Sequence, residues 1–121
     1  MNAPRIAIVG HDAARNSLGR ALVLADLLDP LGEVRIFSFG DRLWPPAQGG
    51  RPVELLEAPR TTAGLPAAAG RLRAAIRNAD LIVAVTPRVL SYGLAAMVRG
   101  GRPLVLDVDD LEHLFTRRRL G

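Results

Sequence analysis

The sequence predicts an α/β fold: a Rossmann-like open parallel sheet of five strands, order 3-2-1-4-5, with helices on both faces. Three observations carry that prediction. Short apolar runs alternate along the chain with segments of helical spacing. The runs are continuous rather than alternating polar and apolar, as in strands buried on both faces. Right-handed crossovers through the intervening helices then leave few other arrangements. In this order, functional residues fall at the carboxyl ends of strands one, four and five.

Each element has its own justification. Arg5–Gly10 is an apolar run closed by glycine and reads as strand one. Asn16 and Ser17 are candidate caps for a helix running to about Asp29, with Leu18, Ala21, Leu22, Ala25 and Leu28 on one face. Pro30 and Gly32 stop it. Glu33–Phe39 is strand two, closed by Gly40. A loop rich in proline and glycine follows, with no regular structure expected. Val53–Glu57 is the least secure strand, because its neighbours are loops. Leu65, Ala69, Leu72, Ile76 and Ala79 mark the buried face of a second helix. Leu81–Thr86 is strand four. Thr86-Pro87 reads as a capped helix start, and Leu90, Leu94 and Met97 as the inward side of that helix. Gly100-Gly101 ends it, Pro103–Asp107 is strand five, and Asp110 caps a last helix from Leu111 to about Arg118.

The chain's 121 residues allow one domain, and 49% hydrophobic residues can bury a core without disulfides or a structural metal. No cysteine is present, which excludes thiol catalysis and Cys-type zinc sites. Two histidines make a histidine-rich metal site untenable. All 16 basic residues are arginine, so a Walker loop and Schiff-base chemistry both lack their lysine. The net charge is +4, and three positive charges sit together at Arg117, Arg118 and Arg119. With so few aromatics, this pattern argues against nucleic acid as a partner. No secretory signal and no membrane-spanning run is visible, so a cytoplasmic chain is expected. The sequence ends in a charged helical segment, as a domain or a piece of a longer chain would.

The candidate site residues lie at the predicted carboxyl edge. Strand one runs into Gly10-His11-Asp12, then Asn16 and Ser17 at the helix start. Only the first glycine of a dinucleotide fingerprint is in place, which disfavours NAD and FAD. The helix N-terminus still favours an anion, and capping alone is the alternative role for Asn16 and Ser17. A phosphorelay receiver fails for want of an acidic pair after strand one, an aspartate after strand three and a lysine after strand five. Asp107 and Asp109 share a face if strand five continues, and two carboxylates can hold a divalent cation. Alternatively Asp110 caps the next helix and Asp109 is solvated. Asp107 closes a buried strand and needs a partner. His11 is a minor catalytic candidate, His113 a surface residue, and Trp44 packs under its loop or covers the sheet end.

These residues resemble the N-terminal Rossmann-like domain of family 4 retaining glycosyltransferases of the two-domain (GT-B) type. Four segments carry the resemblance: Arg5–Gly10 with its polar loop and amphipathic helix, Gly32–Ile36, Ala79–Ala84, and Arg102–Asp110 with its proline, apolar strand and acidic cluster. It implies transfer of a sugar from a nucleotide-sugar to an acceptor hydroxyl with retention. It places the Gly10–Ser17 loop near donor phosphates and acceptor, and Thr86, Asp107, Asp109 and Asp110 on the acceptor side. It implies no cofactor and no metal at the chemical step. The family's donor-binding C-terminal domain carries a Glu-x7-Glu element, which the glutamates at 33, 54, 57 and 112 do not form. The chain therefore reads as the acceptor-side half, needing its C-terminal partner for turnover and prone to self-association without it. Peripheral contact of Arg117–Arg119 with the inner face of a membrane is a further expectation. The competing reading is a non-catalytic Rossmann-like module that binds a nucleotide or a protein.

Overall fold

A computed structural model describes residues 3–108. Five strands form one parallel sheet: β1 (Arg5–Gly10), β2 (Glu33–Phe39), β3 (Val53–Leu56), β4 (Leu81–Val85) and β5 (Leu104–Asp107). The order is β3-β2-β1-β4-β5, as expected from the sequence. Among the described residues the α-helices are α1 (Ser17–Leu28), α2 (Leu65–Ala75) and α3 (Leu94–Val98). Among the described residues, no helix is long and apolar enough to cross a membrane.

Strand parity divides the core in two. Ile6, Ile8, Ile36, Val83 and Val85 project to one face, where Leu18, Ala21 and Ala25 of α1 cover them. Ala7, Val9, Phe37, Phe39, Ile82 and Ala84 project to the other, under α2 and α3. Helices thus lie on both faces because the two innermost strands, β1 and β4, are apolar toward both sides. The expected faces of α1 and α2 are the observed ones: Leu72 and Ile76 are fully buried, and Leu22, Leu28, Leu65 and Ala79 pack at the margins.

Four local expectations are corrected. Strands three, four and five are each one residue shorter than expected. The β2–β3 connection contains a short 3-10 turn at Pro45–Ala47, and it buries Ala47 against the α1 side. Asn16 does not cap α1 through its side chain. Thr86-Pro87 does not start a helix: the chain turns there, forms a π-helical turn over Val89–Gly93 and only then enters α3. Within α3, Leu94, Ala95 and Val98 point inward while Met97 is 70% exposed, so the inward side passes one position beyond the expected Met97.

Candidate functional site

The carboxyl edge of the sheet gathers the ends of β1, β4 and β5 around the point where the connections diverge. β1 leads through α1 to β2 on one side, and β4 leads through α3 to β5 on the other. In a doubly wound sheet that divergence opens the ligand crevice.

The β1–α1 loop is pinned from both ends. Ala13 is fully buried; its N–H donates to the Phe39 carbonyl at 2.8 Å, and its carbonyl accepts from the Trp44 N–H at 2.6 Å. Trp44 packs against the α1 side of the core, which settles its sequence alternatives in favour of packing. Gly19 makes this possible, since a Cβ there would stand 3.0 Å from the indole ring. Gly10 has a similar role beside β2, where a Cβ would stand 2.9 Å from Ser38 Oγ.

Asp12 organises the start of the helix. Its Oδ1 accepts from the Ala14 N–H at 3.1 Å, an Asx-turn, and its Oδ2 accepts from Arg15 Nε at 3.1 Å. Ser17 Oγ donates to the Asp12 carbonyl at 3.3 Å. Asp12, rather than Asn16 or Ser17, supplies the carboxylate that orders this entry.

His11 is half-buried beside this loop. Its Nδ1 is buried and has no hydrogen-bond partner among the described residues. Burial holds its pKa below 6.5, with Arg88 acting in the same direction, Asp12 opposing and Arg15 adding a smaller decrease. The ring is therefore neutral at pH 7, with one nitrogen that donates and one that accepts.

Thr86 directly follows β4 and lies in the left-handed region, at φ 69°. A β-branched residue is strained there. The turn is held because Thr86 N–H donates to the Asp107 carbonyl at 3.0 Å, while its own carbonyl accepts from Arg88 N–H at 2.9 Å and Ser91 Oγ at 2.5 Å. Sequence reading missed Ser91, a fully buried hydroxyl whose only signal is its place four residues after a proline.

Asp107 is committed to a guanidinium. Arg20 Nε and a terminal nitrogen donate to its two carboxylate oxygens, each at 2.9 Å. This fork answers the buried carboxylate's need for a partner and removes Asp107 from the cation reading. No group of three or more metal-ligating side chains occurs among the described residues. Asp109, Asp110 and the expected last helix with His113 and Arg117–Arg119 lie outside the described residues.

The structure thus brings His11, Asp12, Thr86 and the Asp107–Arg20 pair to one edge, with Gly10 and Ser17 shaping the loop between them. A cavity of about 210 Å³ lies at the opposite, amino edge, lined by Arg5, Glu33, Arg35, Phe37, Ile76 and Asn78 among others. It is remote from the divergence of β1 and β4, and the guanidinium of Arg35 sits over its Phe37 ring, 5.3 Å from the centroid.

No family model matches the chain, and no curated protein matches it. Among solved structures, the C-terminal domain of a hydrogenase from Pyrococcus furiosus is similar, with a TM-score of 0.53 and 13% sequence identity. The match covers 89% of this chain and 94% of that one. At such identity the likeness shows the fold alone.

Proposed function

We propose that the chain is the acceptor-side Rossmann-like domain of a retaining glycosyltransferase, which moves a sugar from a nucleotide-sugar to an acceptor hydroxyl. The observation that supports this reading is the convergence of imidazole, hydroxyl and carboxylate groups at the divergence of β1 and β4. Such a mixture suits a polyhydroxylated ligand, whose hydroxyls each both donate and accept. His11 supplies a neutral ring that can hydrogen-bond a hydroxyl without adding charge. Thr86 supplies a hydroxyl on a turn fixed by three hydrogen bonds. The Arg20–Asp107 fork fixes the end of β5 against α1 and keeps that wall of the crevice in place.

In the reaction, the bond from the sugar's anomeric carbon to the nucleoside diphosphate breaks. A bond to the acceptor oxygen forms, and the acceptor's proton leaves with the diphosphate. The groups that stabilise the departing phosphate belong to the donor half, whose Glu-x7-Glu element is not in these 121 residues. Catalysis then requires both walls of the cleft, since it depends on holding donor and acceptor together.

The test is a product assay over a panel of nucleotide-sugars and glycoside acceptors, run with residues 1–121 alone and joined to a donor-binding half. Sugar transfer only by the joined protein is expected. Turnover by residues 1–121 alone would refute the half-site reading.

A further inference from the structure

The net charge is concentrated in one layer of the fold. Residues 57–103, which include α2 and α3, hold seven arginines and two carboxylates. Their net charge of +5 exceeds the +4 of the whole chain. The two carboxylates lie in connections rather than on the helices, and both are engaged. Glu57 pairs with Arg71 at 3.2 Å, and Asp80 Oδ2 accepts from the Arg5 backbone N–H at 2.8 Å. Arg73, Arg77 and Arg99 are exposed and make no ion pair among the described residues. The Arg117–Arg119 run, by contrast, is offset in sequence by Asp107, Asp109, Asp110 and Glu112.

The same layer exposes apolar side chains. Val89 is 61% and Met97 70% exposed, and Tyr92 is exposed between them in sequence. Val89 and Tyr92 lie on the π-helical turn and Met97 on α3, while Leu94, Ala95 and Val98 fill the core. Arg102 makes the layer a unit. Its guanidinium donates to the carbonyls of Ile76 at 2.5 Å and Val98 at 3.0 Å, joining the carboxyl ends of α2 and α3.

We propose that the outer surface of the α2–α3 layer docks on an anionic lipid bilayer, with Val89, Tyr92 and Met97 entering the headgroup region and Arg73, Arg77 and Arg99 meeting lipid charges. The combination selects this occupant. Basic side chains and exposed apolar ones on the same helical layer suit interfacial membrane binding. A single aromatic offers no row of stacking platforms for nucleic acid. None of these six side chains belongs to the candidate site at the carboxyl edge, so the inference stands apart from the proposed transfer reaction.

Vesicle flotation tests it, using phosphatidylcholine alone and phosphatidylcholine mixed with phosphatidylserine. The whole chain is expected to float only with the anionic vesicles and to be released by salt. Replacing Arg73, Arg77 and Arg99 with serine should weaken binding roughly a hundredfold, about fivefold for each arginine. Exposed Arg42→Ser on the β2–β3 connection serves as a control for the loss of one charge, and circular dichroism checks that each variant folds. Because the chain has no cysteine, Met97→Cys carries a single environment-sensitive label. Its emission should shift to the blue on anionic vesicles. Equal binding to neutral vesicles, an unshifted label, or loss of binding only when Arg117–Arg119 become serine would overturn the proposal. Binding to duplex DNA in place of vesicles would do the same.

Discussion

His11 makes a pH-dependent contribution whose direction follows from its surroundings. Burial and Arg88 lower its folded pKa below the ordinary 6.5, so between those values the unfolded chain binds more protons than the folded one. The stabilising contribution is complete above about pH 6.5 and is lost as pH falls from there through the lower folded value. Urea titrations between pH 8 and 5 should therefore show a steeper acid loss of stability for the native chain than for His11→Asn. Parallel profiles would mean that the ring is not held neutral by the fold. Thr86 yields a second expectation at this scale. Its left-handed conformation costs on the order of 1–2 kcal/mol. Glycine removes that strain but adds freedom to the unfolded chain, about 0.5–1 kcal/mol. Thr86→Gly should leave stability unchanged or raise it by up to about 1 kcal/mol in urea unfolding, whereas Thr86→Ala should give no such relief. Both residues were legible as site candidates because they follow apolar strands. The left-handed turn was not, since Thr-Pro signals a helix start equally well and only the Asp107 and Ser91 contacts decide between them.

At the scale of elements, β1 and β4 were legible because each is a continuous apolar run that has no stable place except between two layers, whereas β3, with Glu54 inside it and loops on either side, was the least secure. The helix faces followed from period alone where the helix is regular, as in α1 and α2. At α3 the period found Leu90 and Leu94 but chose Met97 over Val98 beside it, and no local signal announces the π-helical turn that precedes the helix. The start of α1 failed differently: Asp12 ordered the loop four residues earlier than the Asn16–Ser17 pair suggested. No sequence signal singled out Gly19, yet it makes room for Trp44 against α1. Arg102 shows how one long-range side chain can set the relation of two elements. It satisfies carbonyls at the ends of both α2 and α3, where positive charge is also favoured by the helix dipoles. Hydrogen bonds from a charged group contribute about 1.5–3 kcal/mol each. Arg102→Ala should lower stability by roughly 2–3 kcal/mol, allowing for its partial exposure. Hydrogen exchange should loosen in α2 and α3 while the α1 side keeps its protection. Uniform loosening would contradict a role confined to that layer.

For the whole molecule, sheet order followed from connectivity rules, and these rules also place the sequence candidates on one edge. The partners of those residues did not follow, because Arg20 and Asp107 are 87 positions apart and meet only when α1 lies across the sheet. The proposed role is a division of labour: this domain holds the acceptor, and a donor-binding half holds the nucleotide-sugar. That division makes a kinetic distinction at the carboxyl edge. The most direct measurement is steady-state sugar transfer by the joined two-domain protein, with both substrates varied, for the native sequence, His11→Asn and Thr86→Ala. The account predicts that KM for the acceptor rises severalfold to tenfold in the variants, the loss of about one hydrogen bond each, while KM for the nucleotide-sugar stays unchanged. A rise in KM for the nucleotide-sugar with none for the acceptor would contradict it.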